Sequence, residues 1–507
     1  MFISEKNNRV IIIGGGVGGL AVGCYLQMNG YSTVIFEKNF ECGGVSFSWK
    51  RGGYTFDGAT NWLAGSSDSS NMHQLLKELI NFNDLVFIDP EEFITVELEN
   101  KSFHVFSDAN RLREEMLRLA PEDSQVIIQF TEAIKKAGTF SLPYQKAPEL
   151  FTPVDYLSML SKNLPFILFF SKWKKLTIGE FANKFSSSTL RRMFLNIFPH
   201  HHHFSIFSVL MTLGWMNIRS GGYPVGGSAK FNDVLIKRYL SLGGEIKSNA
   251  AVVQIVVEKD KASGVKTADG NFHSADKVIS AMDLHYTLVN LLPSSLSFSK
   301  RAYNFETFPV FPSLIQVSIG CKREFKNVSH KFQIPLHQKL RIEHNSEIEE
   351  LNDMMVRICN FDHTLAPAGC TSVVAHFRTR YYQQWVDLRK NDREQYNALK
   401  RMIAESVIET LDKRFGNVRD TIEVVDIATP ATFIRYTNIF KGSYQGWAPV
   451  PSLIGKTHPK QLKSVKDLYF AGQWVWSAGG LPGVIRIGRQ TAQIICHHDK
   501  IKFKVIK

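Results

Sequence analysis

The segment RVIIIGGGVGGLAVGCYLQMNGYSTVIFEK, residues 9–38, decides the fold class. Its continuous apolar run over residues 10–13 is typical of a parallel strand that is buried on both faces. Gly14, Gly16 and Gly19 follow at the spacing GxGxxG. The first glycine permits a tight turn, the second lets a pyrophosphate approach the backbone, and the third allows close packing of helix on strand. The N-terminus of the next helix then faces the phosphates, so the segment predicts a Rossmann-type dinucleotide site.

The residues after this turn favour the flavin dinucleotide FAD over a nicotinamide dinucleotide. The second predicted strand, residues 33–36, ends in Glu37, whose carboxylate can accept hydrogen bonds from both hydroxyl groups of an adenosine ribose. A second glycine pair, Gly43 and Gly44, follows, and glycine lets the backbone lie close to a ligand there as well. An extended flavin dinucleotide needs such a second loop, whereas a nicotinamide dehydrogenase does not.

The block KNFECGGVSFSWKRGGYTFDGATNWL, residues 38–63, resembles the early block of FAD-dependent phytoene desaturases, carotenoid isomerases and retinol saturases, which share their fold with amine oxidases. It carries the glycine pair and, over residues 56–60, the sequence FDGAT, which is similar to the family phrase FDxG. Many relatives have arginine where this chain has Val45, which leaves the contact at this loop to the backbone. The resemblance implies an α/β fold. A discontinuous Rossmann-type FAD domain with a parallel sheet and a β-meander is joined to a mixed α+β substrate domain.

Two later blocks extend the resemblance and imply the domain organisation. Residues 221–283 contain a glycine-rich turn, a helix and further strands, and Val252 stands where the backbone of relatives meets the adenine. The block LYFAGQWVWSAGGLPGVIRIGRQTA, residues 468–492, resembles the block that surrounds the flavin ring. The implied FAD-binding domain comprises residues 1–75, 222–290 and 462–507, and the implied substrate domain comprises residues 76–221 and 291–461.

The glycine-rich turn and the resemblance together predict a set of residues that contact FAD without a covalent bond. Gln473 stands where many flavoproteins of this fold have an acidic residue, and glutamine can still accept and donate hydrogen bonds. Arg435 and Tyr436 are the candidates for contact with the substrate or the flavin, and no other catalytic residue follows from the sequence. The predicted cofactor residues are Gly14, Gly16, Gly18, Gly19, Glu37, Lys38, Gly43, Gly44, Ala59, Thr60, Val252, Gly472, Gln473, Gly480, Leu481 and Pro482.

The remaining ranges combine helices with an antiparallel sheet. LIQVSI, residues 314–319, alternates in polarity and predicts a half-exposed antiparallel strand. Apolar residues four apart predict a helix over residues 396–415, ended by Gly416. Asp108 and Ser124 are expected to cap two further helices at their N-termini.

Charge and hydropathy suggest a membrane surface as a partner. The formal net charge is +13, from 60 basic and 47 acidic residues. No zinc finger, RNA-binding signature or helix-turn-helix pattern accompanies this charge, so nucleic acid is not expected as a partner. Residues 157–178 contain the apolar run LPFILFF, too short to span a bilayer, and they suit contact with a membrane interface. A buried helix followed by a solvated charged turn remains the alternative. The flanking basic residues are Lys162, Lys172, Lys174 and Lys175.

Cysteine and histidine usage argues against disulfides and metals. The six cysteines have no CxxC spacing and indicate reduced thiols in a cytoplasmic protein. The charge and the apolar segment add the expectation of peripheral contact with the inner face of a membrane. Four adjacent histidines, residues 200–203, cannot converge on one ion. No metal is therefore expected, and the run is interpreted as a partly exposed polar turn near the cavity.

The resemblance implies an FAD-dependent oxidoreductase that acts on a long polyene or isoprenoid lipid by hydride exchange at flavin N5. Desaturation, saturation and cis–trans isomerisation all remain open, and the sequence does not indicate an oligomeric state. One alternative is an amine oxidase, although no cysteine for a covalent flavin lies beside Trp474 and Trp476. A second alternative is a Rab GDP-dissociation-inhibitor type protein that binds prenylated partners without flavin. Such proteins have lost parts of the fingerprint that this chain keeps.

Overall fold

The apolar run near the start of the chain forms the middle strand of a five-stranded parallel sheet. The computed structural model describes residues 8–294, 296, 305–344, 347–477 and 479–506. In spatial order the strands are β19 (Leu468–Phe470), β13 (Lys277–Ser280), β1 (Arg9–Ile13), β2 (Ser32–Phe36) and β9 (Glu245–Lys247). The chain therefore returns to one sheet from widely separated segments.

Both faces of this sheet are covered, which explains its uninterrupted apolar strands. On one face Ile12 packs among residues of α1 (Val17–Met28), α9 (Gly227–Ser241) and α14 (Leu481–His498). On the other face Ile11 packs against a three-stranded antiparallel meander. The strands of the meander are β10 (Val252–Glu258), β11 (Lys261–Thr267) and β12 (Phe272–Ser274). Helices, the parallel sheet and the meander thus form three successive layers. Their strands agree with those predicted for this part of the chain.

A seven-stranded mixed sheet forms the second large layer. Its neighbours are antiparallel except for one parallel pair, β15 with β6. In spatial order the strands are β18 (Ile422–Ala428), β14 (Ser313–Cys321), β17 (Thr371–Thr379), β16 (Glu347–Ile358), β15 (Lys331–His344), β6 (Glu92–Leu98) and β7 (Lys101–Phe106). Two small pairs complete the strands: β3 (Ser48–Arg51) with β4 (Tyr54–Asp57), and β5 (Phe87–Ile88) with β8 (Tyr223–Pro224).

Strand β14 confirms the predicted antiparallel strand, but the predicted half-exposure is wrong. Every residue of β14 is buried. Ile315 and Val317 pack against α12 (Arg393–Phe415), which confirms the helix predicted to end before Gly416. Gln316, on the opposite face, forms a hydrogen bond with His376, which lies in the wall of a large cavity. The apolar residues of β14 thus face the core, and the polar residues on its other face point toward a cavity rather than toward solvent.

Helices surround the outer part of the seven-stranded sheet. Asp108 caps one of them, accepting hydrogen bonds from the backbone of Asn110 and Arg111, as predicted. Ser124 is not a cap: it is the first helical residue, and Asp123 precedes it as the N-terminal flanking residue. These helices are α3 (Ala109–Leu119), α4 (Ser124–Gly138), α5 (Pro153–Trp173), α6 (Ile178–Ala182), α7 (Ser188–Leu195), α8 (Ile206–Asn217), α11 (Tyr382–Asn391) and α13 (Pro430–Thr437). Two other helices lie beside the parallel sheet: α2 (Asn71–Lys77) packs against α14, and α10 (Leu284–Tyr286) follows β13.

Helix α5 has an unusual surface. It is kinked at Asn163, two residues before Pro165, because proline removes a backbone donor and crowds the preceding turn. Only Phe169 and Trp173 are buried along its 21 residues. Within the described part of the chain, no helix has the length and hydropathy needed to cross a bilayer.

Candidate functional site

A cavity of about 1070 Å³ lies between the carboxyl ends of the parallel strands and one face of the seven-stranded sheet. One end is formed by glycine-rich loops that follow β1, β2 and β19. The other end is formed by aromatic side chains from the surrounding helices and strands. Ligands of open α/β sheets bind at the carboxyl ends of the strands, so the glycine-rich end is the expected place for a dinucleotide.

The three glycine-rich loops approach one another closely. Gly16 forms a β-bridge with Gly43. Gly14 has a φ of 96°, in the region that favours glycine. A Cβ atom on Gly18 would lie 2.7 Å from the Cα atom of Gly472, so side chains there would force the first and last loops apart. The cradle depends on bare backbone at these positions.

Glu37 and Lys38 are fixed by neighbouring loops at the edge of the cradle. The Glu37 side chain is buried and accepts a 2.8 Å hydrogen bond from the backbone N–H of Gly15. The Lys38 ammonium donates to the backbone carbonyl of Arg435 and to Asn438 Oδ1. Burial lowers the pKa of Lys38. The glutamate therefore borders the cavity in a set orientation, and the lysine joins the cradle to the loop after α13.

The loop after β4, which carries Ala59 and Thr60, is held by a buried carboxylate and a buried guanidinium. Asp57 accepts hydrogen bonds from the backbone N–H groups of both residues and from the backbone and hydroxyl of Ser228. Arg357 of β16 donates to the carbonyl oxygens of Thr60, at 2.7 Å, and Asp57, at 3.0 Å. The seven-stranded sheet thus sets the position of a loop that lines the cavity.

The late loop closes the cradle from the opposite side. Gly480 has a φ of 86° and precedes the first turn of α14, where Leu481 and Pro482 face the cavity. The buried Trp447 donates through its indole nitrogen to the carbonyl of Trp474, at 2.9 Å. This hydrogen bond and the packing of the two tryptophans anchor the start of the late loop.

Buried polar atoms around the cradle fit a polar cofactor. Among the described residues, Arg486 Nε, Gln490 Oε1 and Ser46 Oγ are buried without a hydrogen-bond partner, and all three residues line the cavity. The Arg486 guanidinium stacks 4.0 Å from the Trp476 ring centroid. Buried polar groups in native proteins are normally satisfied. An extended dinucleotide with polar edges would supply hydrogen-bond partners for these buried atoms beside the glycine cradle.

The structure brings nearly all of the predicted cofactor residues to this cavity. Gly19 does not line it and instead packs α1 on β1, because a Cβ there would lie 2.1 Å from the carbonyl oxygen of Gly14. Of the two candidates near the substrate, Tyr436 lines the cavity and Arg435 does not. The predicted residues that line it are Gly14, Gly16, Gly18, Glu37, Lys38, Gly43, Gly44, Ala59, Thr60, Val252, Gly472, Gln473, Gly480, Leu481 and Pro482.

The far end of the cavity is apolar, with a few polar side chains on the seven-stranded sheet. Of the four adjacent histidines, His201 lines it, buried, with its Nε2 atom 3.3 Å from the Tyr444 hydroxyl. Within the described residues, no three His, Cys, Asp or Glu side chains are grouped to hold a metal. Burial lowers the pKa of His376 to about 3, so this ring is neutral. The aromatic lining includes Trp62, Phe93, Phe151, Phe166, Phe170, Phe198, Phe204, Phe207, Trp215 and Phe311.

Sequence reasoning missed the residues that the seven-stranded sheet contributes. Arg357, Lys331 and Arg378 are single basic residues in strands, with no motif around them. Their one visible signal is a polar side chain two positions away in an otherwise apolar stretch, Gln333 for Lys331 and His376 for Arg378. That signal does not separate a solvent-facing side from a cavity-facing side.

Known proteins resemble this chain over nearly all of its length. A family model described as flavin containing amine oxidoreductase matches residues 17–496. Chloroplastic prolycopene isomerase of Daucus carota is 25% identical over 530 residues, which cover 97% of this chain and 80% of the relative. 4,4'-diapophytoene desaturase (4,4'-diapolycopene-forming) of Methylomonas sp is 24% identical over 525 residues, 99% of this chain and 98% of the relative.

A solved structure shares the fold. The oxidoreductase from Methanosarcina mazei superposes with a TM-score of 0.59 at 18% identity, covering 95% of this chain and 98% of that chain. The predicted resemblance to phytoene desaturases and carotenoid isomerases is confirmed by the named relatives. The expectation of a flavin-dependent oxidoreductase is confirmed with it. With a family match that extends from α1 to the end of α14, the chain belongs to the flavin-containing amine oxidoreductases.

Proposed function

We propose that this protein binds FAD non-covalently and acts on C–C or C=C bonds of a long polyene or isoprenoid lipid. The observation that carries the proposal is one continuous cavity that joins a bare glycine cradle to an aromatic chamber. The names of the relatives, a prolycopene isomerase and a diapophytoene desaturase, support the same class of substrate. Desaturation, saturation and isomerisation are alternative outcomes of one arrangement.

The residues of this chain hold and orient the reacting groups. Bound flavin supplies hydride exchange at N5, and the protein supplies position and a dry cavity. The backbone at Gly16 and Gly43 would take the pyrophosphate, Glu37 the ribose, and the late loop at Gln473 and Gly480 the ring end. The sixteen residues predicted above, Gly19 through its packing of α1, form the proposed cofactor site. We assign residues 1–75, 222–290 and 462–507 to the FAD-binding domain, because these ranges supply the parallel sheet and the meander.

The charges in the cavity wall favour a lipid over an amine. Among the described residues, the acidic side chains that line the cavity are Glu37 and Asp283, both near the ends of parallel strands. The apolar chamber instead contains Lys331 and Arg378. A substrate ammonium group would be repelled there. The intact glycine cradle likewise favours a flavin enzyme over a flavin-free prenyl-binding protein.

Purified protein is expected to be yellow and to release FAD on heat denaturation, because the proposed contacts are non-covalent. In anaerobic incubations, a polyene or isoprenoid lipid from a panel of phytoene, prolycopene, retinol and retinoic acid should give a new product with oxidised or reduced flavin. Chromatography of the released cofactor and of the lipids measures both steps. A colourless protein that FAD cannot reconstitute would contradict the proposal, and so would flavin reduction by putrescine but by none of the lipids.

We also propose that α5 places the cavity against an anionic membrane. Tyr156, Met159 and Phe166 of this helix line the cavity. Four leucines on one side of the helix are exposed, with Leu157 69% and Leu168 63% accessible. Apolar side chains of this kind enter the lipid interface while lysines contact the headgroups. The four leucines are Leu157, Leu160, Leu164 and Leu168, and exposed lysines nearby are Lys162, Lys172 and Lys175.

Replacing Leu160 and Leu164 by glutamate is expected to reduce binding to phosphatidylglycerol-containing liposomes at least tenfold. Each substitution removes apolar surface that a bilayer would bury and adds a charge that anionic lipid repels. Sedimentation with liposomes at low salt measures the effect. The matched control is Phe272→Glu on the meander, also about half exposed, which should bind as wild type does. Equal losses in both proteins, or no binding by wild type, would contradict the role of α5.

A further inference from the structure

Two basic side chains of the seven-stranded sheet face the apolar chamber. Lys331 lies on β15 and Arg378 on β17, with β16 between them, and both line the cavity. The Lys331 side chain is buried, with the residue 7% exposed, and its Nζ lies 4.2 Å from the centre of the Phe93 ring. We call Lys331 and Arg378 the cationic wall.

The cationic wall forms no ion pair within the part of the chain that the structure describes. Neither residue forms an ion pair with a described acidic group, and Arg378 Nε is buried without a hydrogen-bond partner. The Asp353 carboxylate lies near Arg378 in the sheet and accepts a hydrogen bond from Gln333, but it does not line the cavity. The Tyr444 hydroxyl beside Arg378 is neutral, since burial raises its pKa. Lys331 and Arg378 therefore present positive charge to an apolar chamber, and among the described residues no acidic side chain lines this end of the cavity.

Such an arrangement is costly for the protein alone. Burial, together with the neighbouring charges of Arg378 and Arg357, lowers the pKa of Lys331 to about 7. Buried charges in proteins are normally paired, and leaving one unpaired is strongly unfavourable. A ligand that brings a negative charge would remove this cost on binding. The proposed dinucleotide contacts do not explain the wall, because none of them lies on β15 or β17.

The geometry points to a carboxylate at one end of the substrate. Resting on the proposed function, we propose that the cationic wall binds the carboxylate of a long apolar acid, so that the enzyme acts on polyene or isoprenoid acids rather than on hydrocarbons. The arginine guanidinium presents paired donors that match a carboxylate, and the lysine adds a third donor group. The neighbours Phe93 and Met355 are apolar, which suits a single negative charge better than a phosphate dianion.

The test compares all-trans-retinoic acid with its methyl ester, which has the same chain but no charge. Binding to the FAD-loaded protein at pH 6.5 is followed by quenching of tryptophan fluorescence, since Trp62 and Trp215 line the chamber. We expect the acid to bind at least tenfold more tightly than the ester. Lys331→Met and Arg378→Met should each reduce this preference severalfold, with the affinity for the ester changing less than twofold. The control Lys390→Met removes an exposed charge on α11 and should retain the preference.

The outcomes separate this inference from the proposed function. Equal affinities for acid and ester in wild type, or an undiminished preference in both variants, would overturn the cationic wall. Lys331→Met removes an unpaired buried charge, so its thermal stability should equal or exceed that of wild type. If it does not fold, Arg378→Met decides the question. FAD content and product formation test the proposed function separately, since a colourless or inactive protein that still prefers the acid would refute the enzyme proposal and leave the wall intact.

Discussion

Alanine in place of Gly16 is expected to weaken FAD binding at least 100-fold while the apoprotein stays folded. Gly16 has an ordinary φ of −70°, and a Cβ atom there would lie 3.6 Å from the nearest atom, Cα of Gly44. The protein therefore has room for a methyl group. The space that the methyl fills is the approach of the pyrophosphate to the helix N-terminus. Losing two hydrogen bonds to a charged phosphate costs about 3–6 kcal/mol in total, and about 2.8 kcal/mol already corresponds to a 100-fold loss of affinity.

A second glycine serves as the comparison for this experiment. A Cβ atom on Gly18 would lie 2.7 Å from the backbone of Gly472, so Gly18→Ala should lower the melting temperature of the apoprotein as well as its FAD content. Gly16→Ala should lower the FAD content alone. Flavin absorbance after reconstitution and thermal unfolding without FAD measure the two effects. If Gly16→Ala took up FAD with wild-type affinity, the assignment of this turn to the pyrophosphate would be wrong.

The parallel sheet and its glycine-rich turns were predictable because local sequence determines them. Ile11 and Ile12 face opposite layers, so both must be apolar, and an apolar run followed by GxGxxG has few other structural meanings. The last strand and the first turn of α14, at Pro482, were predictable for the same reason. Each of these features is a short motif whose residues act close to where they stand in the chain.

The wall contributed by the seven-stranded sheet was not predictable, because it depends on contacts between distant segments. The alternation in β14 indicated two different environments, but sequence does not distinguish solvent from a polar cavity wall. Arg357 holds the carbonyl oxygen of Thr60, 297 positions away in the chain. No local sequence feature near Arg357 or Thr60 indicates that the two residues are in contact. The predicted start of α4 was wrong by one residue: Ser124 was expected to be the cap, but Asp123 is the flanking residue and Ser124 is already helical. Both residue types are common at this position, so the sequence does not distinguish them.

Asp57→Ala is expected to lower the unfolding free energy by about 3–5 kcal/mol, because each buried donor that loses its acceptor costs about 1–3 kcal/mol. Asp57 is 1% exposed and accepts four hydrogen bonds, from the backbone of Ala59, Thr60 and Ser228 and from the Ser228 hydroxyl. Alanine would leave all four donors without this acceptor. Thermal unfolding, with and without FAD, measures the loss.

The same substitution should also release FAD, because Asp57 joins α9 to the loop that lines the cavity. Asp57→Asn keeps one acceptor oxygen and should recover part of both the stability and the FAD content, whereas a purely electrostatic role for the carboxylate would give no recovery. The control is Asp68→Ala, an exposed residue near the same segment, which should match wild type in both measurements. A stable Asp57→Ala protein with full FAD content would mean that Arg357, through its own bonds to Thr60 and Asp57, is sufficient to hold the loop.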